Sequence, residues 1–456
     1  MRGTAPLSLI CWMSMCALAA AQGVDLKYSF GPTAPAGYTK VAATDVYSPE
    51  KGYGFDLESK VKTLASGNGG YTTRDNSKGF FFSAKLPEGA YEVTVTLGDP
   101  SGDSTTTIKS ETRRLMLESL HTSGGKLETK SFLVHVRRPE YPGGSVAFKD
   151  REKLPILYVT WDDSKLIPFT ELDWDEKMTL AFTGEKPALV SLRIATAPPH
   201  TTVYLVGDST MTDQMMEPFA AWGQMFPRFF KEPVLIANYA ECGESAASFI
   251  SERRWPKLMS EIHEGDYVLV QFGINDITLP EARIRELFGR YIADTKAKGA
   301  TPVLVTSQNL ERRQIGNYAE VMRKIAAEQN VPLIDLNAMS VKLFAAMGPE
   351  TTHKAFIDGT HHSAYGACEL AKCVVQGAVD AKLSFAEHVV DDWKTFDPSK
   401  PDEIASFKMP EDPQLDPARS GGPGTPDHRG PMAGAVQNQA RRGGAASRPA
   451  TQSSSQ

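Results

Sequence analysis

Apolar and polar positions alternate with a period of two along much of the segment from Val24 to Arg193. Tyr91-Glu-Val-Thr-Val-Thr-Leu97 puts Tyr91, Val93, Val95 and Leu97 on one face, and Phe132-Leu-Val-His-Val136 puts Phe132, Val134 and Val136 on another. Leu157-Tyr-Val-Thr-Trp161 and Met178-Thr-Leu-Ala-Phe182 carry the same signal. Side chains on a strand point alternately to its two faces, so this period predicts half-buried strands. Pro87-Glu-Gly89 and Gly98-Asp-Pro100 punctuate the runs with turn residues. Short strands, turn signals and no helical period predict an antiparallel β-sandwich. Its aromatics, Tyr28, Phe30, Tyr53, Phe55, Phe80, Phe81 and Phe82, are expected in the core rather than stacked on sugars.

After a short linker at Ala195–Pro199 the period changes. The stretches 203–206, 234–237, 267–272, 303–306 and 333–336 read as short apolar strands. Helical patterns lie between them, as in 281–298 and 318–329. Strands that alternate with helices predict a parallel sheet covered on both faces, an α/β domain. Ligands of such sheets bind beyond the carboxyl ends of the strands, where Ser209 and Asn275 fall.

Composition refines this division. With 456 residues, 41% hydrophobic and 23% charged, the chain suits two soluble globular domains plus tails. A net charge of -6 gives no reason to expect nucleic acid as a partner. Arg2, the apolar run Leu7 to Ala20 and Ala19-Ala20-Ala21 form the three parts of an export signal over residues 1–21, predicting a secreted or periplasmic protein. That run is too short to span a bilayer. The two domains are then expected at 22–194 and 200–396. From 411 to 456 the chain is Pro-, Gly-, Ser-, Gln- and Arg-rich and is expected to form a disordered tail. Cys242, Cys368 and Cys373 remain after the export segment; an odd number makes no disulfide framework, and they are expected to be small buried hydrophobes. Neither paired CxxC nor HExxH occurs, so no metal or other cofactor is expected.

The candidate chemistry sits at strand ends. Val203-Tyr-Leu-Val-Gly-Asp-Ser-Thr210 delivers a serine to the tip of a buried strand, and Asp358-Gly-Thr-His361 places a carboxylate three residues before a histidine. A serine hydroxyl is a weak nucleophile until a base takes its proton and a third group orients that base. Ser209, His361 and Asp358 supply those parts. Asn238-Tyr-Ala-Glu-Cys-Gly-Glu-Ser245 and Gln271-Phe-Gly-Ile-Asn-Asp276 close two neighbouring strands. The backbone N–H groups of Ser209 and Gly243, with the Asn275 amide, would make three donors for the negative charge that acyl transfer builds on a carbonyl oxygen.

These blocks, Gly207-Asp-Ser209, Gly243, Gly273-x-Asn275-Asp276 and Asp358-x-x-His361, resemble in kind and order those of the SGNH (GDSL-type) hydrolases. The resemblance implies a three-layer α/β/α sandwich and metal-free ester hydrolysis. It also implies Ser209 as nucleophile, His361 as base, Asp358 as its orienting carboxylate, and Ser209, Gly243 and Asn275 as the oxyanion hole. Further matches, including Val331-Pro-Leu-Ile-Asp335 and Asp-x-Thr-His-x-Ser-x-Tyr-Gly-Ala367, resemble rhamnogalacturonan acetylesterases. Gly52-Tyr-Gly-Phe55, Leu86-Pro-Glu-Gly89 and Arg114-Leu-Met-Leu117 resemble the galactose-binding-like sandwich that precedes the hydrolase in bacterial members. The implied partner is an acetylated polysaccharide.

Departures from that pattern bear on substrate. Ile274 stands where these acetylesterases often have His, Glu244 where Arg is common and Ala247 where a basic or polar residue is common. Glu244 and Ile274 are therefore expected at the rim of the oxyanion hole, where an acidic Glu244 would repel a uronate and favour a neutral acetylated glycan. Three functions compete: a carbohydrate O-acetylesterase, an O-acetyltransferase on the same fold, and a glycan-binding protein without activity. Acetate release without an added acceptor separates the first from the other two.

Overall fold

The computed structural model describes residues 23–64, 69–73, 79–149, 170–215, 217–313 and 315–412. The expected export segment, the predicted strand at 157–161 and most of the expected tail lie outside them.

The first domain is a sandwich of two sheets. In one, strands run in the order Glu128–Val136, Gly89–Leu97, Leu189–Thr196, Asp25–Ser29 and Thr39–Lys40, with Tyr71–Thr73 attached to Leu189–Thr196 and Val61–Thr63 paired in turn to Tyr71–Thr73. In the other the order is Tyr53–Asp56, Gly79–Lys85, Lys177–Thr183, Ser104–Ser110 and Arg114–Thr122. Pairing is antiparallel except between Asp25–Ser29 and Thr39–Lys40, which run parallel. Tyr91, Val93, Val95 and Leu97 face one shared core with Phe132, Val134, Val136, Met178, Leu180 and Phe182, as the alternation predicts. Tyr28, Phe30, Phe55, Phe80 and Phe82 fill the same core with edge-on ring contacts, while Tyr53 packs half-buried at its margin.

Glu128–Val136 is buried on both faces at its end. Leu133 and His135, on the face opposite Phe132, are buried too, and the strand packs against strand Val234–Asn238 of the second domain. The final sandwich strand runs on to Thr196, which shortens the linker to residues 197–200.

The second domain is a parallel sheet in the order Val234–Asn238, Thr201–Gly207, Tyr267–Gln271, Thr301–Val305 and Leu333–Ile334. The first strand in sequence thus lies between the second and the third, and the strand order reverses there. Val203 and Leu205 pack with helix Ala364–Asp380 on one side. Tyr204 and Val206 pack with Arg254–Glu261, Glu281–Ala297 and Tyr318–Gln329 on the other. Burial on both faces explains why these strands are continuously apolar rather than alternating. Cys242, Cys368 and Cys373 are all buried, and burial pushes the Cys368 thiol up to about 12. Among the described residues no helix is long and apolar enough to cross a membrane.

One boundary differs from the sequence expectation. Residues 411 and 412, assigned to the tail by composition, belong to the folded body. Asp412 is buried at the domain junction, ion-paired to Lys109 and Arg113 of the sandwich, and its N–H donates to Glu217 at 3.0 Å. Composition counts apolar residues and so misses an anchor made of charge. Burial pushes the Asp412 carboxyl up, but Arg113 and Lys109 outweigh it and hold it at about 2. A carboxylate depressed in the folded state stabilises above its unfolded pKa, and the contribution is lost as pH falls through the folded value. Asp412→Asn, which takes from Lys109 and Arg113 the carboxylate they share, is expected to cost about 3–5 kcal/mol at pH 7. Urea melts should show the gap between variant and wild type closing as pH falls from about 4 toward 2; a constant gap would remove the ion pairs as its cause.

Candidate active site

Strand Thr201–Gly207 ends in a turn that Asp208 caps: its Oδ1 accepts from the Thr210 N–H at 2.9 Å and the Thr210 hydroxyl at 2.7 Å. This turn holds Ser209 at the carboxyl end of the sheet, beside the point where the strand order reverses. Crevices at such points collect ligands.

His361 arrives from the other end of the domain. Its Nε2 lies 2.9 Å from Ser209 Oγ, and its Nδ1 lies 2.8 Å from Asp358 Oδ2. The carboxylate fixes the proton on Nδ1, which leaves Nε2 to accept from the serine hydroxyl. Asp358 Oδ1 in turn accepts the N–H groups of His361 at 2.8 Å and Thr360 at 3.0 Å, so the Asp-x-x-His spacing builds its own turn. Burial pushes the Asp358 carboxyl up, but the His361 ring and these N–H donors outweigh it and hold it well below the usual carboxylate range. Ser363 caps helix Ala364–Asp380 through the Gly366 N–H just beyond. A Cβ on Gly366 would meet the Ala355 carbonyl oxygen at 2.2 Å, so only glycine lets the helix start this close.

Asn275 and Gly243 lie at the ends of the two neighbouring strands. The Asn275 amide donates to the Glu244 carbonyl at 2.8 Å, which fixes its orientation and leaves its second hydrogen. Gly243 adopts φ +67°, a conformation that favours glycine. Neither the Ser209 N–H nor the Gly243 N–H has an acceptor among the described residues. Asp276 accepts the Ala246 N–H at 3.0 Å and ties the two loops together. Burial raises its carboxyl to about 6 against that bond, with help from Asp208 and Glu244.

Two expected rim residues are not at the rim. Glu244 is fully buried, paired to Lys149 and Arg254 and accepting from the Ser248 hydroxyl at 2.6 Å. Burial pushes its carboxyl up, but Glu252, Arg254 and Lys149 hold it below the usual range, and Glu252 rises to about 7. A carboxylate neutralised in this way cannot repel a uronate. Ile274 is buried in a small cluster with Leu310, Ile315 and Ala319. Sequence position beside Gly243 and Asn275 does not give side-chain direction, and both side chains turn inward. His362 also turns inward, onto the Phe356 ring, and burial followed by the charge of His361 lowers its pKa to about 3. It is therefore neutral and far from acting as a base.

The sequence reading missed Gln214 and Phe219. The Gln214 amide donates to the Ser209 carbonyl at 2.6 Å, and the Phe219 ring stands edge-on to His361 with centroids 5.8 Å apart. No motif spacing marks either; only the folded loop brings them in.

Residues 205–367 match the model of the GDSL-like lipase/acylhydrolase family, and residues 26–118 match the galactose-binding domain-like model of β-agarase/YXIM esterase-like proteins. The chain is 36% identical over 217 residues to the rhamnogalacturonan acetylesterase RhgT of Bacillus subtilis, covering 41% of this chain and 94% of that protein. It is 28% identical over 400 residues to the uncharacterized esterase YxiM of the same organism, covering 81% and 94%. Against the probable rhamnogalacturonan acetylesterase YesY, also from Bacillus subtilis, identity is 30% over 215 residues, covering 41% and 97%. The chain belongs to the GDSL-like lipase/acylhydrolase family. It is a serine ester hydrolase carrying an N-terminal galactose-binding-like domain.

The inward turn of Glu244 generates a prediction. Glu244→Gln should lower stability by about 1–3 kcal/mol through its buried partners. The ratio of kcat/KM on acidic and neutral acetylated polymers should move by less than about twofold, because the side chain is screened from substrate. A shift of the ratio by an order of magnitude would put Glu244 back in contact with the glycan.

Proposed function

We propose that the protein is a secreted or periplasmic carbohydrate O-acetylesterase acting on acetylated rhamnogalacturonan. The observation that carries the reading is the relay of Ser209, His361 and Asp358, with contacts of 2.9 and 2.8 Å at the open end of the sheet. Ser209 attacks the acetyl carbonyl and passes its proton to His361 Nε2. Asp358, ionised, stabilises the imidazolium. The oxyanion of the tetrahedral intermediate takes the N–H groups of Ser209 and Gly243 and the free hydrogen of the Asn275 amide, each worth about 3–4 kcal/mol. His361 then protonates the departing sugar oxygen as its bond to the acetyl carbon breaks, which leaves the acetyl group esterified to Ser209, and a water activated by the same nitrogen hydrolyses that ester to release acetate and restore the serine.

Hydrolysis is favoured over transfer because the relay stands at the surface. The Asp358 side chain is 40% exposed and that of His361 17%, so water reaches the base directly. The substrate assignment rests on the named activity of RhgT and on the burial of Glu244, which removes the expected obstacle to a uronate-rich polymer. The export signal supports delivery to the polymer outside the cytoplasm.

Acetate release from acetylated rhamnogalacturonan, with acetylated xylan and the deacetylated polymers alongside, tests the substrate. Faster release from xylan by an order of magnitude would move the assignment to a neutral glycan. Release should persist in EDTA, since serine, histidine and aspartate supply the whole reaction; loss restored by zinc or calcium would overturn it.

Ser209→Ala and His361→Ala should each lower kcat on the order of 10⁴-fold with little change in melting temperature. His362→Ala should do the reverse, lowering the melt through its lost packing on Phe356 while kcat stays within an order of magnitude. Asp358, held far below the usual carboxylate range, should stay ionised and add no step of its own to the pH–rate profile. An opposite ranking of the two histidines would exclude His361 as the base.

A further inference from the structure

The turn joining sandwich strands Ser104–Ser110 and Arg114–Thr122 projects into the second domain. Glu111 and Arg113 in it hold φ of 51° and 60°, left-handed values that non-glycine residues adopt at a cost. Arg113 uses one nitrogen, Nη1, to donate to the backbone carbonyls of Gln214 and Phe219, both at 3.0 Å. These are the two residues that touch the proposed nucleophile and base: Gln214 through its amide on the Ser209 carbonyl, Phe219 through its ring on His361. Beside it, Arg114 binds Asp213 Oδ2 through Nε at 2.9 Å and Nη2 at 2.8 Å. The other oxygen of Asp213 accepts from Asn238 at 2.9 Å, which also donates to the Met211 carbonyl at 3.0 Å. The segment after Ser209 is therefore held between the sandwich and the end of strand Val234–Asn238.

We infer that Arg113 is a positioning residue for the esterase reaction, so that the sandwich domain completes the active site in addition to anything it binds. The inference rests on the reading of Ser209 as nucleophile and His361 as base. A hydroxyl and an imidazole react as a pair only while their alignment holds, and a displacement of about 1 Å costs on the order of 10²-fold. Free loops do not keep that tolerance. Here one guanidinium nitrogen binds two carbonyls of that loop at once, while Asp412 on Nε and Glu217 beside Nη2 hold the group in place.

Simple domain adhesion predicts lower stability with an unchanged rate per folded molecule, whereas positioning predicts a slower rate per folded molecule. The test uses the full chain and a fluorophosphonate that labels activated serines. The endpoint of labelling counts competent sites, and the second-order rate constant reports how well Ser209 is activated. In Arg113→Ala the endpoint should stay near one label per chain while the rate falls by about tenfold or more. On a small soluble ester kcat should fall in parallel, with KM within about threefold. Arg113→Lys keeps a cation against Asp412 and Glu217 and tolerates burial of those carboxylates better, but one ammonium cannot serve the two carbonyls and both carboxylates at once. It should recover part of the rate. A wild-type rate constant in whatever fraction still labels, in either variant, overturns the positioning role. Absence of label on wild-type Ser209 would overturn the nucleophile assignment beneath it.

Discussion

The hydrogen bond between Ser209 and His361 joins residues 152 apart in sequence, and its length is set by elements that pack against a common core. Ser209 hangs from strand Thr201–Gly207, whose Val203 and Leu205 are buried in the same cluster as Tyr365, Ala367, Leu370 and Ala371 of helix Ala364–Asp380. That helix begins three residues after His361. A side chain interior packed to crystal-like density resists small displacements, so the strand and the helix fix the two ends relative to each other. Local turns then aim the side chains: Asp208 on Thr210, and Asp358 on the His361 N–H. The geometry of the proposed site thus comes from a long-range constraint with two short-range corrections.

A second constraint is charge buried where the domains meet. Arg114 pairs with Asp213 and lies near Asp173, Arg137 reaches Asp173 and sits over the Trp174 and Tyr239 rings, and Lys109 and Arg113 share Asp412. Removing such charges from water offsets much of their mutual attraction, so they add less to stability than an apolar contact of equal size would. What they impose is register. A misdocked sandwich would leave buried cations without partners, which is costly, and the docked arrangement alone satisfies them. The arginines that enforce this register are those that brace the loops beside Ser209.

Relations between neighbours in sequence misled where direction mattered. Glu244 and Ile274 adjoin Gly243 and Asn275 along the chain, yet both side chains turn into the protein, and only the Glu244 carbonyl serves the site by orienting Asn275. These two departures, which argued against an acidic substrate, lie beneath the site rather than in it. His361 and His362 part in the same way, one toward Ser209 and the other toward Phe356.

The sequence by itself determined the two domains, their classes and the proposed triad. Each of these is written in local pattern: period two in Tyr91–Leu97, continuous apolar runs such as Val203–Val206, and the Asp-x-x-His turn, whose hydrogen bonds close within four residues. Only tertiary structure decided which way Glu244, Ile274 and His362 point, that Asp412 belongs to the folded body, and that Arg113 reaches Gln214 and Phe219 across about a hundred residues of chain. Those contacts depend on how two independently patterned domains dock. Docking here is governed by matched buried charges, and a charged residue in a sequence looks the same whether it will face water or a partner brought from far away.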